Sequence, residues 1–293
     1  MIHQFALLKD SEIKALIPDV TLVIFPVGGL EQHGSHLPVG TKLIQCRDYS
    51  KTFAEKLHKN FPAWNFLLMP PLPFTVDTYT SAMAIQVRPH VVRDALVDQC
   101  ESLKKIGFRN FAALSAHLSP RQLCAIEDAG KIVSKKGASL VSLSSGMINR
   151  SRGFESPMIA LPEEHAGAFD TGYLLAVHPE LVSTEALQLA SVRAPKPSPS
   201  RLMDYFRGKV EGYWGDPSSA DSSQAIKKMD REFDLLLEKL RPVLEKGVGH
   251  KEFLSIYRFF PFNGSFFKAY LLALIFFMSL LIWTILGVRN VFQ

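Results

Sequence analysis

The chain has 293 residues, 47% of them hydrophobic and 21% charged. That length and composition exclude a disordered or low-complexity body and are enough to bury a substantial core. The formal net charge of +5 is spread along the chain with no block of like charges. This excludes a nucleic-acid-binding arm and makes an anionic membrane surface the simpler partner.

The N-terminal residues 1–19 carry Lys9, Asp10, Glu12 and Lys14. These charges interrupt the apolar run that a signal peptide needs, so none is expected. Residues 21–30 open as a buried strand, a short β-branched run closed by Pro and Gly. An amphipathic helix is expected over 43–61 and a second strand over 65–74, ended by prolines. Residues 89–106 read as a helix capped by Gly107, and 108–117 as a third strand. A helix over 119–136, a strand over 138–145 and a helix over 168–177 follow. Residues 195–200 (PKPSPS) read as a loop, and 224–244 as a long helix. Strands alternating with helices of this length imply crossovers and a mainly parallel sheet. Ligands of such sheets sit at the carboxyl ends of the strands, where Glu31, His33 and His117 all fall.

Cys46, Cys100 and Cys124 form no CxxC pair. A sparse, odd set fits a reducing compartment and buried thiols. At the far end, residues 269–288 contain no charge and are bounded by Lys268 and Arg289. As a helix they would cover about 30 Å, the thickness of a hydrocarbon core. Lys246, Lys251, Arg258 and Lys268 precede the span and only Arg289 follows it. The expectation is therefore a domain over 1–248, a juxtamembrane linker over 249–268 and a tail anchor over 269–288. The domain would face the cytoplasm.

The segment GGLEQHGSHLPVG places Glu31, His33 and His36 within six residues. Carboxylate and imidazole together are a usual ligand set for zinc, manganese or iron. A polar loop with a hydrogen-bonded histidine is the competing reading. His117, at a strand end, and His165, after two acids in PEEHAGAFD, are further candidates.

The stretch PVGGLEQHGSHLPVGTK resembles the signature of the creatininase family of metal-dependent amidohydrolases. GFRNFAALSAHLSP, EEHAGAFDTGYLLAVHPELV and GYWGDPSSADSSQA are similar to three later family motifs, in the same order. The resemblance implies an α/β three-layer sandwich that assembles into homo-oligomers. It also implies hydrolysis of a small amide or cyclic amide, usually at a two-metal site. By resemblance, Glu31, His33 and His117 match metal ligands and His165 matches a catalytic histidine. Asp170 stands where the family has Glu.

The departures are as informative. Lys42 stands where the family places the Asp that bridges two metals, and Ser119 where creatininase has a further ligand. Two close divalent ions need a bridging anion between them, and an ammonium there has the wrong sign. Three outcomes are open. A single divalent metal (Zn, Mn or Fe) on Glu31, His33 and His117 would leave room for water, with Lys42 as a catalytic second cation. Lys42 would otherwise pair with Glu31 in a metal-free pocket, or the site would bind a ligand without turnover. The corresponding functions are a membrane-anchored amidohydrolase acting on a small-molecule amide, with His165 and Asp170 moving protons, and an inactive membrane-tethered scaffold. No nucleic-acid partner is expected.

Overall fold

A computed structural model describes residues 1–78, 83–151, 164–190, 212–255, 257 and 264–291. The side chains of residues 149–151, 264–270 and 285–291 lie outside that description, as does the loop expected over 195–200. The chain begins with β1 (Ile2–Gln4), α1 (Asp10–Ala15), β2 (Thr21–Val27) and β3 (Leu30–Glu31). It continues through α2 (Thr41–Asn60), β4 (Asn65–Leu68), β5 (Ala84–Ile85), α3 (Pro89–Lys105) and β6 (Asn110–Ser115). Then come α4 (Pro120–Lys135), β7 (Ser139–Ser142), α5 (Leu143–Ser151), α6 (Ala168–Val177) and α7 (Thr184–Leu189). The last two helices are α8 (Ser222–Lys246) and α9 (Gly264–Val291).

Five strands form one parallel sheet in the order β1-β4-β2-β6-β7. Its central strand, TLVIFPV, is buried along its whole length, as expected for a sheet covered on both faces. Because strand side chains alternate, each strand feeds two cores. Leu22, Ile24, Phe66, Ala112 and Leu114 face a core built with Tyr49 and Phe53 of α2, Tyr173 of α6 and Phe233 and Leu236 of α8. Val23, Phe25, Leu67, Phe111 and Ala113 face the other, with Val92 and Leu96 of α3 and Ile126 and Val133 of α4. The result is the helix–sheet–helix sandwich that the sequence implied. The helix after β2 lies on one face and the helix after β6 on the other. This change of side marks the carboxyl ends of these two neighbouring strands as the place where such topology puts a ligand site.

Most expected elements are present with shortened ends. The strand expected over 65–74 stops at Leu68, and that over 138–145 at Ser142, where α5 begins. The long helix starts two residues earlier than expected. Asp221 caps it by accepting a hydrogen bond from the Gln224 amide, and Gly247 closes it in the left-handed conformation. Strand β1, three residues long, carries no period that could have announced it. Cys46 and Cys100 are buried and Cys124 is half-buried, all as free thiols. A cavity of about 540 Å³ beside edge strand β7, lined in part by Glu127, Lys131, His250 and Phe253, holds none of the expected site residues.

The C-terminal expectation needs correction. Helix α9 exposes Leu271, Phe276, Phe277 and Trp283. Yet among the described residues no helix is long and apolar enough to cross a membrane. That finding overturns the transmembrane helix over 269–288 and the tail-anchored, cytoplasm-facing placement that rested on it.

One packing contact gives a direct test of the sandwich. A Cβ at Gly130, in α4, would lie 2.5 Å from the Leu140 carbonyl oxygen of β7. Backbone cannot yield as a flexible side chain does. Gly130→Ala is therefore expected to destabilise the domain by about 1–3 kcal/mol, read as a lower urea midpoint with an unchanged slope.

Candidate functional site

The motif that follows β2 folds back on itself at the sheet rim. The Glu31 amide donates to the Val39 carbonyl at 2.9 Å, and Leu30 and Glu31 pair with Ile85 and Ala84. Gly28 is where this loop meets α2, since a Cβ there would collide with the Lys42 carbonyl. Glu31 and His33 are completely buried, and His36, His117, His165 and Asp170 nearly so. His165 arrives from far along the chain. Its backbone exchanges two hydrogen bonds with Trp214, at 2.9 and 2.7 Å, and the Gly34 amide donates to Gly212 at 2.8 Å. The GYWGDP motif thus holds the EEHAG motif against the first one.

The histidine tautomers follow from their partners. His33 Nδ1 faces the Glu31 carbonyl at 2.8 Å, so Nδ1 donates and Nε2 keeps its lone pair. His165 Nε2 faces the Gln32 carbonyl at 2.9 Å and donates to it. His36 Nε2 faces the Ala166 carbonyl at 3.0 Å and Thr171 Oγ1 at 3.1 Å. His117 differs from all three. Its Nδ1 lies 2.9 Å from Glu31 Oε1 and its Nε2 lies 2.7 Å from the Val76 carbonyl. Both partners accept, so both ring nitrogens must donate, and His117 is an imidazolium paired with Glu31.

Electrostatics agree with this assignment. Burial would lower the His117 ring, but the Glu31 charge and hydrogen bond prevail and raise it. Burial would raise the Glu31 carboxyl, but His117, then His165 and His33, hold it well below the carboxylate range. His33 is pulled down to about 3, first by burial and then by repulsion from His165 and Lys42, so it is neutral. Burial also lowers His165, with Glu31 opposing.

Glu31, His33 and His165 each present a ligand atom, and these atoms lie within 4.8 Å of one another. Among the described residues, Glu31 Oε2 and His33 Nε2 are buried with no hydrogen-bond partner. A buried orphan carboxylate oxygen and a buried orphan imidazole nitrogen are costly unless something accepts their lone pairs. His117, expected beside Glu31 and His33 as a ligand, is not in that group, and its two ring nitrogens face Glu31 Oε1 and the Val76 carbonyl. Ser119 donates to the Val76 carbonyl at 2.8 Å.

Lys42 does not pair with Glu31, the arrangement considered for a metal-free pocket. Its Nζ lies 2.7 and 2.8 Å from the two oxygens of Asp170. Asp170 also accepts from Gln45 Nε2 and from the Ala166 amide, each at 2.9 Å. Burial would raise this carboxyl, but Lys42, followed by His33, keeps it well below its ordinary value. Gln45 escaped the sequence reading. It lies one turn from Lys42 in α2, and that i, i+3 spacing was the signal available. Residues 79–82 and 152–161, beside the site motifs in sequence, lie outside the described residues.

A family profile described as creatininase, creatinine amidohydrolase, matches residues 6–240. A mycofactocin precursor peptide peptidase from Mycobacterium ulcerans (strain Agy99) is 25% identical over 209 residues, covering 68% of this chain and 76% of that protein. A crystal structure of creatinine amidohydrolase (creatininase) superposes with a TM-score of 0.63 at 18% identity, covering 83% of this chain and 98% of that one. A putative creatinine amidohydrolase from Bacteroides fragilis NCTC 9343 gives 0.56 at 23% identity, covering 83% and 95%. Further creatininase structures with TM-scores of 0.62 and 0.60 are of Zn–Zn type and with Mn. Another, at 0.62, is a complex with creatine. The structural likenesses, at these identities, establish the fold.

The Lys42 and Asp170 side chains are 12% and 4% exposed. Removing one partner of such a pair leaves a bare buried charge. Lys42→Met is expected to cost about 3–5 kcal/mol, and adding Asp170→Asn should restore much of it. Urea unfolding of the two single variants and the double variant measures the coupling, and additive losses would rule it out.

Proposed function

The chain belongs to the creatininase family, and from that premise we propose that it is a metal-dependent amidohydrolase cleaving the C–N bond of a small amide, cyclic amide or short peptide. The observation that carries the proposal is the pair of orphaned, buried ligand atoms, Glu31 Oε2 and His33 Nε2, converging with His165. One carboxylate and two neutral imidazoles are a ligand set that holds a divalent ion such as zinc or manganese and leaves a position open. Such an ion would supply Lewis acidity, activating a water for attack on the amide carbonyl.

The chain's own residues do the positioning. His33 and His165 are oriented by the carbonyls of Glu31 and Gln32, which leaves His33 Nε2 to face the site. His117 holds Glu31 by Oε1, which keeps Oε2 as the ligand oxygen and keeps the carboxylate ionised. In this reading His165 is the third ligand, and His117 orients Glu31. Lys42, held by Asp170, keeps a positive charge at the rim to stabilise the negative charge that develops on the carbonyl oxygen. A small amide substrate and homo-oligomeric assembly belong to the same proposal, on the strength of the family resemblance. The peptidase relative supports short peptides as part of the substrate class.

Metal analysis together with amine release from creatinine, simple amides and short peptides tests the proposal. Protein loaded with zinc or manganese should retain about one ion per chain. His33→Ala should weaken retention by at least about tenfold and abolish turnover. Wild-type protein retaining less than about a tenth of an ion per chain would leave the non-catalytic scaffold reading in its place.

A further inference from the structure

The second charged cluster at the rim sets how many ions the site can take. Asp170 is the acidic group that follows His165 most closely in the chain, and the intervening Ala166 amide donates to it. A free carboxylate in that position would invite a cation beside Glu31, His33 and His165. Asp170 is not free. Oδ1 accepts from Lys42 and Gln45, and Oδ2 accepts from Lys42 and the Ala166 amide. A carboxylate oxygen has about two lone-pair directions, so these four hydrogen bonds from three donors use the whole group. The Lys42 ammonium is nearly enclosed, and its charge is felt at His33, His117 and His165.

Resting on the metal-dependent reading above, we propose that Lys42 is a built-in second cation. Its ammonium, clamped by an Asp170 carboxylate that Gln45 and the Ala166 amide hold in place, occupies the position a second divalent ion would need. The site therefore holds a single ion on Glu31, His33 and His165. Two features support this over a site for two ions. Among the described residues, the one group with metal-ligand geometry is that triad. A second divalent ion there would have to displace the Lys42 ammonium from Asp170, whose acceptor directions are already used. Asp170 is then a positioning residue for Lys42 and not a ligand.

Metal stoichiometry, read by mass spectrometry after dialysis against zinc, tests the inference independently of activity. Wild type should hold about one zinc per chain, and Lys42→Asp, which turns the cation into a second carboxylate, about two. Should Lys42→Asp prove too unstable to purify, the double variant Lys42→Asp, Asp170→Asn removes the facing carboxylates and carries the same expectation. Two ions in wild type would overturn this inference and leave the metal-dependent reading intact. One ion in wild type and in both variants would also overturn it, because Lys42 would not then be what limits occupancy. No ion in wild type would overturn both readings.

Discussion

A charge taken out of water must be met by another, and that constraint organises the rim of this sheet. Lys42 lies in the first turn of α2, and Asp170 in the first turn of α6. Between them runs much of the domain, yet their charged groups meet at hydrogen-bonding distance with little exposure. Neither could be buried alone. Their pairing draws the start of α6 onto α2, and with it the Ala166 amide and the neighbouring His165. The exchange of backbone hydrogen bonds between His165 and Trp214 then brings the fourth motif into the same place. Apolar packing such as Tyr49 against Tyr173 brings α2 and α6 together, and the ion pair fixes which charged groups meet at their starts.

The same constraint governs the histidines. Their chemistry is decided by what lies opposite each ring nitrogen. A single carbonyl opposite His33 leaves an inward lone pair. Two acceptors opposite His117 require two protons and therefore a positive charge. Two histidines that look alike as sequence candidates are thus a neutral donor of electrons and a cationic brace for Glu31. The Val76 carbonyl that makes the difference belongs to a loop held in turn by Gln122 and Ser119.

Much of the architecture was legible. The apolar run TLVIFPV, the helix-length amphipathic segments and their alternation with short strands required a covered parallel sheet, and α6 begins and ends where its pattern does. Strand ends were less legible. β4 and β7 stop at Leu68 and Ser142 although their neighbours β2 and β6 pair on to Val27 and Ser115; Pro70 and Pro71 lack the amide donors to extend β4, and α5 begins directly after Ser142. The charge-free run near the C-terminus was readable as a helix, and α9 is one. A membrane crossing was a further step that the described residues do not bear out.

What the sequence determined by itself was the cast: a parallel α/β fold and a carboxylate and imidazoles at the strand ends; the family resemblance added a lysine where an acid would be needed for two bridged ions. Residue type and spacing fix these, because periodicity and chemical identity are local properties. What only the tertiary structure decided was the partnership. Lys42 pairs with Asp170 and not Glu31, and His165 joins Glu31 and His33 while His117 pairs with Glu31 without joining that group. Those pairings depend on which groups become neighbours once water is excluded. Distances of a few ångströms between residues far apart along the chain are not written in any local pattern.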